Sequence, residues 1–200
     1  VLQMFAGLPK KKRIFFTIVL LLSGCVTLAG VLLALYPTFS NWWNERHNSR
    51  AAADYDLAVS EILDLDALWA QADAYNMDIR MDPNRFHPEA EDTSFYESIL
   101  DVQGDGTIGY LEIPSLEIRM PFYHGTSEGV LQKAAGHLEG SSFPTGNMGT
   151  HSVLSGHTGI SRAKLFTDLP KLKEGDTFYV KVLDRELWFR VDQILTVLPT

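Results

Sequence analysis

Histidines are the residues of this chain best suited to proton transfer or metal binding near neutral pH. Four of the six lie in the C-terminal half: His124, His137, His151 and His157. His151 and His157 are an even number of residues apart, so a strand would point both to the same face. No cysteine lies near them, and no closely spaced His-x-x-His or Glu-x-x-His pair supplies zinc ligands. The sequence therefore predicts neither a metal site nor a cofactor.

Cys25, the only cysteine, lies in an uncharged apolar run over residues 14–36. Leu22-Ser23-Gly24-Cys25 matches a bacterial lipobox, although mostly apolar residues follow the cysteine instead of a polar tether. The thiol could be a lipidation site, a catalytic nucleophile or membrane filler. Because a thiol in hydrocarbon forms little thiolate, we favour filler.

A possible calcium loop covers residues 101–112, DVQGDGTIGYLE, with acidic residues at loop positions 1, 5 and 12. Position 3 is Gln103, and Pro114 follows the loop where an EF-hand requires a second helix. The pattern favours a Gly-Asp-Gly turn before the first strand.

Residues 14–36 are about long enough for a helix to cross the hydrocarbon core of a membrane. A cluster of basic residues precedes the run and predicts a cytoplasmic N-terminal end: Lys10, Lys11, Lys12 and Arg13. A cleaved signal peptide is the competing interpretation, but its apolar core is usually only about 7–15 residues long. We therefore expect a cell-membrane protein with a cytoplasmic basic segment over 1–13, a single span over 14–36 and an extracellular body.

The charge of the body excludes one class of partner. The first 36 residues carry a net charge of +4, whereas the remainder holds 13 basic and 25 acidic residues. Nucleic-acid binding requires clustered Lys and Arg. The sequence therefore predicts no nucleic-acid partner.

Apolar residues recur every three or four positions from Asn41 to about Asn76, which predicts a stalk helix with one buried face. We expect this helical stalk, over 37–80, to pack on the extracellular body, with a coiled-coil dimer as the alternative. Pro83 and Pro88 break the pattern, so 81–95 is predicted as an irregular segment. Short β-type runs follow at 108–113, 117–121, 152–155, 177–183 and 186–197, with a hairpin turn at Asp184-Arg185.

One histidine of the four has a distinctive context. A short apolar strand, residues 152–155, runs directly into Gly156-His157 and then a loop. An imidazole at a strand end is well placed to meet a substrate, although an isolated histidine there is more often structural.

The stretch from Gly109 to Thr200 resembles a sortase of class C, the pilus-building class. Its most diagnostic part is Ser155-Gly156-His157-Thr158 followed by residues 164–169, KLFTDL. The resemblance implies a sortase-like β-barrel behind the membrane anchor and helical stalk, with the partial barrel over 96–200. It also implies a cysteine transpeptidase that cleaves LPxTG-type signals at Thr-Gly and joins pilin subunits through a lysine isopeptide bond. The implied partners are LPxTG-bearing pilins and the lipid bilayer.

The family uses a His, a Cys and an Arg, and the resemblance assigns only the first, to His157. The resemblance places the Cys and Arg beyond residue 200, so we expect this chain to be an inactive N-terminal fragment with an incomplete barrel. Class C sortases also carry an Asp-Pro-aromatic lid, and Asp82-Pro83 occupies the corresponding place, although Asn84 replaces the aromatic residue. An ordinary loop is the alternative there. A non-catalytic surface binding protein or a lipoprotein with a sortase-like barrel is the alternative for the chain.

Overall fold

The computed structural model describes residues 9–159 and 165–197. Lys164 of the KLFTDL motif, the first eight residues of the predicted basic segment and Leu198-Pro199-Thr200 lie outside that range. The chain divides into two compact units, residues 1–40 and 41–200.

The N-terminal helix α1 covers Lys10–Ser60 and includes the predicted span. Residues 14–36 are long and apolar enough to cross a membrane, and their side chains are exposed. The sequence pattern predicted helices over 14–36 and 41–76. Instead, α1 ends at Ser60 and α2 covers Leu65–Met81. The break is explained by Asp64, whose carboxylate accepts a hydrogen bond from the Ala67 N–H at 3.0 Å and so caps α2.

The predicted apolar face of the stalk is confirmed within the second unit. Tyr55, Val59, Trp69 and Ala72 are buried. The Tyr55 hydroxyl donates to the Ile108 carbonyl at 2.7 Å and accepts from the Leu183 N–H at 2.8 Å. These bonds hold α1 against β1 and the turn after β5, so the C-terminal part of α1 is part of the core of the second unit. Burial is also the main reason that the pKa of Tyr55 is raised.

The described part of the second unit also contains a six-stranded sheet, in the order β4-β3-β2-β1-β5-β6. All neighbours are antiparallel except β2 and β3. The strands are β1 (Thr107–Ile113), β2 (Ile118–His124), β3 (Ala135–His137), β4 (Leu154–Ser155), β5 (Thr177–Val182) and β6 (Arg185–Arg190). All five predicted strands are present, although the last ends at Arg190 instead of Val197. The β5–β6 turn is Leu183-Asp184, one residue earlier than predicted.

Two helices and one strand were not predicted. Helix α3, Ala90–Ser98, occupies part of the segment predicted as irregular over 81–95, and a single helical turn, α4, covers Glu128–Leu131. Strand β3 was also missed, because three residues are too few to show an alternating pattern.

The turn before β1 is the predicted Gly-Asp-Gly turn. Asp101 Oδ1 accepts hydrogen bonds from the N–H groups of Gly104, Asp105 and Gly106 at 2.9–3.1 Å. Strand β1 begins at Thr107, where an EF-hand would continue towards its second helix. The Asp101 carboxylate, position 1 of the possible calcium loop, thus stabilises a backbone turn.

Candidate active site

Strand pairing places His157 just after β4, the strand at one edge of the sheet. Ser155 of β4 pairs with Gly136 of β3, and Leu154 pairs with His137. His157 follows β4 by two residues, and its side chain is 34% exposed, so it can meet both protein and solvent. The strand-end position predicted for this imidazole is confirmed.

Gly156 fixes the backbone that carries the imidazole. A Cβ added at Gly156 would lie 2.5 Å from Cδ2 and 2.6 Å from Cε2 of Phe166. The Phe166 ring is buried, and the backbone N–H of Phe166 donates to the His157 carbonyl at 3.2 Å. Only glycine allows the ring so close. The Gly-His and Leu-Phe-Thr parts of the motif are therefore two halves of one packing contact.

A second contact closes the loop after His157. The Gly159 N–H donates to the Thr167 hydroxyl oxygen at 2.9 Å. His157 and Gly159 are thereby both hydrogen-bonded to the turn over residues 165–168.

Glu128, at the start of α4, is a partner of His157 that the sequence reasoning missed. Its carboxylate oxygens lie 3.3 Å and 3.2 Å from His157 Nε2. The hydrogen bond from Gln132 and then that with His157 lower the pKa of the Glu128 carboxyl. The two residues are far apart in sequence, so no local motif could have revealed the pair.

The other three histidines of the C-terminal half differ from His157 in their burial and contacts. His137 is fully buried and stacks on Phe143, and burial lowers its pKa to about 4. His124 lies between two backbone carbonyls, of Ile99 and Gly106, at 2.8 Å and 3.0 Å, and burial lowers its pKa. His151 is exposed.

The Asp-Pro segment forms an exposed turn after α2. Asp82 Oδ1 accepts from the Asn84 N–H at 2.8 Å, and the His87 N–H donates to the Asn84 carbonyl at 2.7 Å. The turn packs closely on Gly140, since a Cβ added at Gly140 would collide with the Arg85 carbonyl. Gly140 follows β3, the neighbour of the strand that leads to His157. Asp82 and Pro83 are themselves exposed.

Cys25 lies in α1, within the unit formed by residues 1–40, and its side chain is exposed. Among the described residues, the site around His157 thus contains an imidazole and a carboxylate.

Residues 111–200 match the sequence profile of the sortase domain. Sortase C1 from Streptococcus agalactiae is similar, with 41% identity and a TM-score of 0.69 over 72% of this chain and 76% of that one. Sortase C from Streptococcus pneumoniae has 37% identity and a TM-score of 0.62, covering 73% of this chain and 75% of that one. A Clostridium perfringens sortase C, solved with the C-terminal cell wall sorting motif, has 37% identity and a TM-score of 0.58 over 72% and 75%. No match was found among curated proteins.

The chain belongs to the sortase family. The predicted fold class is confirmed: a curled half-barrel sheet accompanied by a long apolar N-terminal helix and a helical region. The similarity to structures of sortase C also supports the predicted class and its link to pili.

Proposed function

We propose that this protein is a class C sortase, a cysteine transpeptidase that joins pilin subunits at the cell surface. The observation that carries the proposal is the packing of Phe166 on Gly156, because it ties both halves of the sortase-like motif to the position of His157. The identity to several sortase C structures supports the same assignment.

In the proposed reaction a cysteine thiolate attacks the Thr-Gly carbonyl of an LPxTG-type signal and forms a thioester. His157 gives a proton to the departing glycine amine. It then takes a proton from the lysine amine of the next pilin, which attacks the thioester, forms an isopeptide bond and releases the thiolate. An arginine stabilises the developing oxyanion.

We propose that Cys25 is not the nucleophile of this reaction. That residue lies in the apolar stretch proposed as the membrane span, within the unit formed by residues 1–40. We assign the cysteine and the arginine of this reaction to no described residue of the chain.

The experiment measures cleavage of a fluorogenic LPxTG peptide by the full-length protein and by its His157→Ala and His151→Ala variants. Loss of general acid–base catalysis should lower the rate of His157→Ala by about 10²-fold or more. His151→Ala is the matched control, since this exposed histidine lies six residues earlier, and it should keep the rate. Retained activity in His157→Ala would refute the assignment.

The turn over residues 82–86 is proposed as the lid of the active site. Its support is the Asp82-Pro83 sequence and the close contact of Arg85 with Gly140. Phe86 is 48% exposed and is proposed to provide the aromatic ring that position 84 lacks. Asp82→Ala should speed thiol labelling of the nucleophile in the full-length protein; an unchanged labelling rate would argue against a lid.

We further propose that the apolar part of α1 anchors the protein in the cell membrane, with the second unit outside. The length and composition of the segment and the basic residues before it support this topology. In intact protoplasts, externally added protease should digest the second unit but spare an epitope fused before Lys10. Digestion of the N-terminal epitope in sealed protoplasts would contradict the orientation.

A further inference from the structure

The Glu128 carboxylate lies within hydrogen-bond distance of the His157 imidazole. Both carboxylate oxygens lie within 3.3 Å of Nε2, and Gln132 Nε2 donates to Glu128 Oε1 at 2.8 Å. Gln132 therefore gives the carboxylate a second hydrogen-bond partner besides the imidazole. A carboxylate only accepts hydrogen bonds, so the nitrogen that faces it must carry the proton.

The scaffold keeps the two side chains together through neighbouring elements. A Val130 side-chain methyl lies 3.2 Å from the Cβ position of Gly136, so α4 rests directly on β3. Strand β3 in turn pairs with β4, which leads into His157. Glu128 and His157 are thus carried by elements that pack on the same short strand.

Occupation of Nε2 has a consequence for proton transfer. In neutral imidazole one nitrogen carries a hydrogen and the other has a free lone pair. With Nε2–H directed at Glu128, the lone pair is on Nδ1, and Nδ1 is the nitrogen able to exchange protons.

We propose that Glu128 is a positioning residue for His157, which fixes the Nε2–H tautomer and leaves Nδ1 as the proton-transferring nitrogen of the transpeptidase. The inference rests on the proposed function of His157. Glu128 acts through the imidazole and touches neither substrate nor nucleophile in this role. Because its side chain is 67% exposed, its replacement removes the carboxylate without emptying a core position.

The kinetic test compares Glu128→Ala, Glu128→Asp and Glu174→Gln in the full-length protein with the LPxTG peptide. Glu128→Ala should lower kcat roughly tenfold and change KM little, because orientation matters for proton transfer more than for peptide binding. Glu128→Asp should recover part of the loss. Glu174→Gln, at an exposed turn, is the control for removal of one surface charge and should retain wild-type kcat.

A spectroscopic test reports on the tautomer without using activity. In the full-length protein labelled with ¹⁵N-histidine, the ring nitrogens of His157 are assigned by comparison with His157→Ala. At alkaline pH the wild type should show predominantly the Nε2–H form, and Glu128→Ala a mixture of tautomers.

The two hypotheses fail separately in these experiments. An unchanged kcat or an unchanged tautomer in Glu128→Ala, with His157→Ala inactive, would overturn the role of Glu128 and leave the proposed function intact. Activity in His157→Ala would overturn the proposed function itself.

Discussion

The ring of Phe166 occupies the space that a side chain at residue 156 would need, with ring carbons 2.5 Å and 2.6 Å from the Cβ position of Gly156. This relationship joins a strand end to a turn ten residues later. It makes the glycine before His157 a requirement of packing, since any Cβ would push the ring or the strand end away.

Gly156→Ala should therefore lower the free energy of unfolding by about 1–3 kcal/mol, the usual range for overpacking a tight site. Gly129→Ala is the matched control, since nothing lies within 4 Å of its Cβ position in α4. An alanine within this helical turn should be neutral or stabilising by up to about 1 kcal/mol. Urea unfolding of both variants checks this, and equal midpoints would contradict the packing argument.

Tyr55→Phe should destabilise the second unit by about 1–3 kcal/mol, because it leaves the Leu183 N–H and the Ile108 carbonyl buried without their partner. Tyr110→Phe is the control, since its hydroxyl contacts the part-exposed side chains of Asp56, at 3.4 Å, and Arg119, and both of these partners are side chains, not buried backbone groups. That variant should lose less than about 1 kcal/mol. Denaturant titration measures both, and a loss for Tyr110→Phe equal to that for Tyr55→Phe would disprove the expectation.

Gly140→Ala should loosen the proposed lid, because a Cβ there collides with the Arg85 carbonyl. Hydrogen exchange at the Asn84 and His87 amides, both bonded within the turn, should become faster. Gly104→Ala is the control: its φ of +73° resembles the +83° of Gly140, but its Cβ position is open. It shares the backbone strain and lacks the collision, so its exchange over residues 82–89 should be unchanged. Faster exchange in both variants would attribute the effect to strain alone.

The buried imidazole of His137 should make the protein less stable in acid. Burial lowers its pKa from the ordinary 6.5 to about 4, so between those values the unfolded chain binds the proton and the folded chain does not. The unfolding free energy should therefore fall as the pH is lowered from about 6.5 to 4, by up to about 3 kcal/mol from this group, since each pKa unit corresponds to about 1.4 kcal/mol. Unfolding free energies across that range should depend less on pH in His137→Gln than in the wild type; equal slopes would exclude this contribution.

Local patterns predicted much of the fold. The apolar face containing Tyr55 and Trp69 and the β-type runs from Ile108 onward could be recognised because helical and strand periodicities are local properties. Their boundaries were less certain: the helix expected over 41–76 breaks before Asp64, whose side chain caps a new helix. Strand β3 and α4 are too short to show a period, although both position the site.

The sequence by itself determined that the chain resembles a sortase and that His157 stands at a strand end, because motif and periodicity are contained in neighbouring residues. Tertiary structure decided which groups meet that imidazole. Glu128 reaches Nε2 only because α4 rests on β3 and β3 pairs with β4. Tertiary structure also gave the histidines different environments, since burial lowers the pKa of His137 while the His157 side chain stays accessible to solvent. Such differences arise from packing between residues distant in sequence, and no local pattern encodes them.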